Sequence, residues 1–540
     1  MPSRPRLVTS VALVAALAAF GATPVVAQNQ APAPPAPLQA LEFAPFDAAI
    51  ESLAPDRRGE LDELVIEATF DQLQSAMASG DLTSAELTTY YLARIRDYDV
   101  DGLQSMLELN PDALERATAL DKERAAGDVR GPLHGIPVSL KGNIGTVGEM
   151  ATSAGAAAMA EFQPGEDATL VAALREAGAV ILGKANLSEW AGWVYPEPET
   201  AGFSALGGFP VNPYDPSLPV LGSSSGSGVG TSANLVAASV GTETAGSLIA
   251  PASANGVVGM KPSLGLVSRS GVIPLTSQTD TPGPVTRSVA DAAALLTVIA
   301  GADERDPATD AAAALADTDF TGFLDPAALE GVRIGLLTNI PELDEEPTDA
   351  QLEELYKALG YGRAVSGLRA AGAEVVPVFN ELWGSTDDFY TLIDNGFRLD
   401  LADYLAGFPE SPISSVDDII AFNDQDPDRY APYGQGRLPS AAASTLTRKE
   451  YEGFADTLRT DARTHIDGLL EQYDVEALAS FANTFSLADA IAGYPAVTVP
   501  TQPGLGLTFT GPYLSDGELI GYAHAFEHAT EARLVPPVGG

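Results

Sequence analysis

Apolar and polar positions along this chain follow two alternating periods, and the switches between them outline its elements. From Asp71 to Arg96 apolar residues recur at helical spacing, with two candidate starts, Asp71 and Thr83. Leu170, Val171, Leu174 and Ala177 fall on one face of a predicted helix capped near Asp167. Gly178 closes that helix, and Ala179-Val180-Ile181-Leu182 follows as a short buried strand. Val332 to Leu337 reads as another strand after a helical segment. Near the C-terminus, AGYPAVTVP predicts a strand and ELIGYAHAFEHATEARL a final helix. Helix and strand in alternation predict an α/β layered core. Residues 302–350 are acidic and loop-like, whereas 350–480 are helical and more aromatic, as in an insertion or cap. No internal repeat interrupts this order.

Residues 131–290 depart from the pattern. They are dense in Gly, Ser, Pro and Thr, poor in charge, and threaded with apolar runs. Such a segment packs backbone against backbone and predicts a site region. The N-terminus departs too: Arg4 and Arg6 precede an apolar run from Val11 to Phe20, and small residues lead to a cleavage position after Ala27. The run is too short to span a bilayer comfortably and fits a secretory signal peptide, so a periplasmic or secreted location is expected. An uncleaved anchor is the alternative. Gln28 to Pro37 is Pro/Ala-rich and predicts an extended tether. The expected organisation is a signal peptide over 1–27, a tether and N-terminal extension over 28–60, and a catalytic domain over 61–535. Within that domain, 131–291 forms the core and 350–480 a variable substrate-side region.

Composition narrows the chemistry. The 540 residues are 45% hydrophobic, enough for one large core or two smaller ones. A net charge of −44 argues against nucleic acid or anionic lipid as partner, because a polyanion is repelled at long range. It fits a solvated, self-repelling surface or, alternatively, an acidic field that attracts cationic substrates. The chain has no cysteine, which excludes disulfides, thiolate metal sites and cysteine nucleophiles. Its four histidines, His134, His465, His524 and His528, form no His-Glu-x-x-His motif, so a zinc-hydrolase reading has no ligands.

Two stretches resemble sites that they are not. Gly178 to Lys184 nearly spells a phosphate-binding loop, but Ala185 replaces the hydroxyl that would hold magnesium and the interior is strand-like. Gly222 to Gly228 has a linker's composition, yet it precedes a packed small-residue segment, and a buried Ser/Gly turn must pair its polar groups. Three segments carry the chemistry: GPLHGIPVSLK ending at Lys141, GSSSGS from Gly222 to Ser227, and GTETAGS ending at Ser247. Lys141 ends an apolar strand, and the chain has only six lysines. Burial disfavours an ammonium and brings a lysine toward the range where it accepts a proton. Ser247 follows Ala245-Gly246, where a tight turn can aim successive N–H groups at one point. A serine hydroxyl needs an adjacent base, and lysine acting through a second serine can supply it.

On these segments the sequence resembles the amidase-signature family. The likeness runs through GPLHGIPVSLKGN, AGAVILGKANLSEWA, NPYD, GSSSGS, GTETAGSLIAPA, NGVVGMKPSLGLVSRSGVIP and DTPGPVTRSV. It is close from Gly131 to about Asp291, traceable to about Leu534, and nearest in motifs to peptide amidase. It implies a large mixed twisted β-sheet covered by helices on both faces, with a helical cap. Carried over by residue, it implies Lys141 as general base, Ser223 as bridging serine after a cis bond to Gly222, and Ser247 as nucleophile. The N–H groups of Thr244, Ala245, Gly246 and Ser247 would form the oxyanion hole, with Ser224 and Ser227 either supporting the network or pairing within the turn. No metal or organic cofactor is required. The implied partner is a small-molecule or peptide amide, with no nucleic acid, no membrane after signal cleavage, and an open oligomeric state.

Three positions depart from the family. Gly142 stands where an Asp is common, Ala245 where Gly or Asp is common, and Ile249 where many members carry Arg. The last argues against recognising a substrate carboxylate there. The leading expectation is an exported amidase acting on small amides or peptide C-terminal amides. The alternatives are a broader esterase or aryl-amide hydrolase with the same triad, and a non-catalytic amide-binding relative. Asp394, Asn395, Phe422, Asn423, Tyr433 and Gln435 are candidate substrate-side residues, and His134 reads as structural.

Overall fold

The computed structural model describes residues 35–195, 200–340, 347–380 and 383–538. The expected signal peptide, and the tether up to residue 34, lie outside the described residues. Helical periodicity resolves into two helices at the two expected starts. Phe70–Ser79 is capped by Thr69 and stopped at Gly80, and Ser84–Tyr98 is capped by Thr83 in a reciprocal box with Glu86. Each such cap satisfies amides that a helix start leaves open and contributes about 1 kcal/mol. The helix Thr169–Glu176 begins one residue later than expected, from Ala168. Asp167 is drawn off, accepting from the Val147 amide at 2.9 Å and pairing with Arg175 at 3.0 Å.

Eleven strands form one mixed sheet: β1 (Met106–Leu109), β2 (Pro137–Lys141), β3 (Val180–Ala185), β4 (Ala238–Glu243), β5 (Val258–Lys261), β6 (Thr281–Thr286), β7 (Arg333–Leu337), β8 (Glu374–Val378), β9 (Ala477–Phe481), β10 (Ala496–Gln502) and β11 (Leu505–Thr510). Their spatial order is β1-β3-β2-β4-β6-β5-β10-β11-β9-β7-β8. β2 is parallel to both its neighbours, β3 and β4, while β4–β6, β5–β6 and β5–β10 are antiparallel. Strands covered on both faces read as continuous apolar runs, and every residue of β2, β3 and β4 is buried. The near-match to a phosphate-binding loop is therefore β3 itself, with Lys184 buried and donating to the Ile144 carbonyl.

Helices cover the sheet. Ser225–Ser232 packs on β2, β3, β4 and β6, Val289–Ile299 on β5 and β6, and Asp516–Thr530 on β10 and β11. A second apolar cluster joins Thr386–Ala406 and Arg448–Tyr473 over Trp190, Trp193 and Tyr195. The 350–480 region is therefore mostly helical, as expected, but it also contributes β8 at the sheet edge and leads into β9. Likewise 302–350 holds two short 3-10 turns and β7 rather than loop alone. At the N-terminus, the amides of Leu38 and Gln39 donate to the carbonyls of Ala205 and Leu206.

Candidate active site

The site lies where β2 and β4 end side by side. Register pairs Leu140 with Val240, which brings the next residue of β2, Lys141, beside the end of β4. Lys141 is fully buried. Its Nζ lies 2.7 Å from Ser223 Oγ, 2.9 Å from Thr242 Oγ1 and 3.1 Å from the Thr242 carbonyl. Asn143 Nδ2 also donates to Thr242 Oγ1 at 3.2 Å, so that hydroxyl is a shared acceptor. A side chain in place of Gly142 would press on two leucines. A Cβ there would meet Leu107 Cδ1 at 2.7 Å and Leu187 Cδ2 at 3.1 Å.

Ser223 follows a cis peptide bond to Gly222, as the resemblance implied. Its neighbour Ser224 ties the loop to β4 twice, with Oγ donating to the Thr242 carbonyl at 3.0 Å and accepting from the Thr242 amide at 3.2 Å. The Ser224 amide donates to the Ser247 carbonyl at 3.1 Å, so the backbone beside Ser223 runs directly against Ser247. The structure thus brings Lys141, Ser223 and the Ser247 turn together. Ser227 does not join them. It lies inside the helix Ser225–Ser232, and its buried hydroxyl has no hydrogen-bond partner among the described residues.

The turn from Thr244 to Ser247 is held at both ends by carboxylates. Glu243 Oε2 accepts from the amides of Leu248 at 2.7 Å and Ile249 at 3.0 Å. On the other side Thr244 Oγ1 donates to Asp280 at 2.6 Å. Between these grips, none of the amides of Thr244, Ala245, Gly246 and Ser247 donates to an acceptor among the described residues. Gly246 has φ +88°, and a Cβ there would meet Asn483 Nδ2 at 2.9 Å, so the turn requires glycine. Four successive amides without acceptors, beside a buried amine and two hydroxyls, can hold a negative oxygen and move a proton.

Other titratable groups are buried in the same sheet region or beside it. His134 is buried, with Nε2 3.0 Å from the Leu120 carbonyl, and burial lowers its pKa. Burial likewise pushes Lys184 down to about 7 and Glu189 up to about 8. Glu189 Oε2 accepts from the Ala205 amide at 2.8 Å, while Oε1 has no partner among the described residues.

The candidate substrate-side residues are occupied within the cap. Asp394 accepts from Trp193 Nε1 at 3.0 Å and from Arg437, and Asn395 accepts from the Leu446 amide at 2.9 Å. Asn423 donates to Gln435 at 3.1 Å, Phe422 packs on Tyr430, and Tyr433 packs on Tyr195, Phe203 and Phe209. Asn143, Thr242, Glu243, Asp280 and Asn483 went unmarked in the sequence reading, though the first four stand inside quoted motifs. A motif places them near the site without saying which way their side chains point.

Comparison with known proteins assigns the family. The Amidase family profile matches residues 86–518. A native peptide amidase from Stenotrophomonas maltophilia, solved by X-ray crystallography, is similar in fold with a TM-score of 0.80 and 42% identity, covering 88% of this chain and 99% of that one. An amidase family protein from Bacillus anthracis aligns at TM-score 0.83 and 34% identity over 91% of this chain and 96% of its own. A probable amidase of Arabidopsis thaliana is 36% identical over 87% of this chain and 91% of its own length. The chain belongs to the Amidase family, that of the amidase signature, and is an amide-hydrolysing enzyme.

Proposed function

We propose that Lys141, Ser223 and Ser247 form a Ser-Ser-Lys triad that hydrolyses a carboxylic amide through an acyl-enzyme. The carrying observation is the 2.7 Å contact of Lys141 Nζ with Ser223 Oγ, in a loop whose next amide bonds to Ser247. An amine has two N–H donors and one lone pair. Thr242 offers two acceptors, its carbonyl and its Oγ1, which leaves the lone pair for the Ser223 proton. Ser247 Oγ attacks the amide carbon as its proton passes to Ser223 Oγ, whose own proton passes to Lys141 Nζ. The carbonyl oxygen becomes an oxyanion facing the amides of Thr244 to Ser247. Collapse breaks the C–N bond, and the relay returns the proton to the leaving ammonia or amine. Water then repeats the sequence on the ester and releases the acid.

The substrate reading is a neutral small amide, in particular a peptide C-terminal amide. It is supported by the likeness to a peptide amidase, one structure of which holds the competitive inhibitor chymostatin. Ile249, fully buried where many relatives carry Arg, offers no cation to a substrate carboxylate. Export is inferred from the N-terminal sequence alone. A fluorophosphonate label on wild type, absent in Ser247→Ala, tests the nucleophile, and Lys141→Ala is expected to lose at least about 1,000-fold in turnover. An unlabelled wild type or an active Lys141→Ala enzyme overturns the triad. Ammonia release from peptide, fatty and aryl amides in parallel tests the substrate class. Preference for aryl amides or esters would favour the broader hydrolase.

A further inference from the structure

The antiparallel ladder of β4 and β6 runs from Ser239↔Val285 to Glu243↔Thr281. Continued by one step, that register sets Thr244 opposite Asp280, and there a side-chain bond joins them: Thr244 Oγ1 donates to Asp280 Oδ1 at 2.6 Å. The second oxygen, Oδ2, accepts from the amides of Leu275 at 2.7 Å and Thr276 at 2.9 Å. Asp280 is thus anchored in a separate loop and reaches only the first residue of the turn. Where the ladder stops, the backbone is free to swing its next amides out of the sheet, and the Thr244–Asp280 bond fixes where that swing begins.

We infer that Asp280 is a positioning residue for the nucleophile turn: it clamps Thr244 so that the amides of Thr244 to Ser247 stay aimed at the developing oxyanion. This inference rests on the triad reading above. The side-chain bond of Asp280 to the turn is to Thr244, and it acts through that residue. Burial raises its carboxyl to about 6, against the lowering effect of its three donors and of the nearby Arg269. Asp280 also lines two spaces. One is a narrow gap lined by Asn143, Thr242 and Thr244, the other a cleft of about 1090 Å³ that contains Arg448 and Arg459, and Arg269 lines both. A side chain in that place transmits position because it is packed between the loop and the turn, with donors from both.

The test uses the full-length enzyme and four variants. Asp280→Asn replaces one acceptor oxygen with a donor, and Thr244→Val removes the hydroxyl while leaving the Leu275 and Thr276 contacts alone. Each is expected to lower kcat by about 10- to 100-fold with KM within about twofold, and to slow fluorophosphonate labelling of Ser247 in parallel. Thr244→Ser, which keeps the hydroxyl, restores most of the rate. The double variant Asp280→Asn/Thr244→Val falls no further than the worse single one, because both remove the same bond. Wild-type kcat in Thr244→Val, or losses that multiply in the double variant, would overturn the inference. So would equal damage to KM and thermal stability, which marks a merely structural role. Failure of wild type to label at Ser247 would instead remove the triad reading, and that is read before any variant is compared.

Discussion

Three of the six lysines, Lys141, Lys184 and Lys261, are fully buried, and each lies at or near the C-terminal end of a strand. What separates them is the partner. Lys184 meets the Ile144 carbonyl, Lys261 the Tyr494 carbonyl and Asp489, and Lys141 alone meets the hydroxyl of a serine. Burial at a strand end was legible in the sequence, but by itself it would have nominated all three. The family motifs single out Lys141 because they also name Ser223 and Ser247. Buried carboxyls were not legible at all, since Glu189 and Asp280 look like any acidic residues in an acidic chain. Glu189 yields a test by pH. Its carboxyl rises from 4.5 to about 8 on burial, so between those values the folded state keeps a proton that the unfolded chain has lost. Its contribution to stability therefore falls as pH rises across that window. Glu189→Gln removes this loss, and the melting temperature of the variant relative to wild type is expected to climb from pH 5 to pH 8. Parallel melting curves for the two proteins would refute the shift.

Elements with one clear period were readable, and elements built on irregular sequence were not. The helices after Thr69 and Thr83 announce themselves by caps, and β3 by its apolar run. β6 was hidden because its sequence, TPGPVT, carries two prolines that argue against a sheet interior. Pro282 and Pro284 alternate along the strand, so both lack their N–H on one edge. β5 pairs only with Val285 and Thr286, beyond them. The helix Ser225–Ser232 was hidden for the opposite reason: its glycines and serines have poor helix propensity, and contact rather than propensity holds it. Gly226 shows how close that contact is, for a Cβ there would come within 2.2 Å of the Ser105 carbonyl and 2.5 Å of the Asn186 amide. Gly226→Ala is expected to lower stability by about 1–3 kcal/mol, read as an earlier urea midpoint, with activity lost in step. An unchanged midpoint would mean the helix can shift away from Asn186.

At the scale of the molecule, 73 acidic residues against 29 lysines and arginines leave a surface that repels itself. Screening shortens the reach of that repulsion from about 10 Å at 0.1 M salt to about 3 Å at 1 M. Melting temperature is therefore expected to rise between those concentrations in sodium chloride, and a fall would mean that attractive ion pairs outweigh the excess. The order of strands has a different consequence, for biosynthesis. β1 to β6 form one run of the sheet and β7 to β9 another, and the two are joined only through β10 and β11, residues 496–510. A nascent chain that has not yet emerged past residue 495 holds two partial sheets with open edges and no bridge between them. Closure of the sheet therefore awaits the synthesis of residues 496–510.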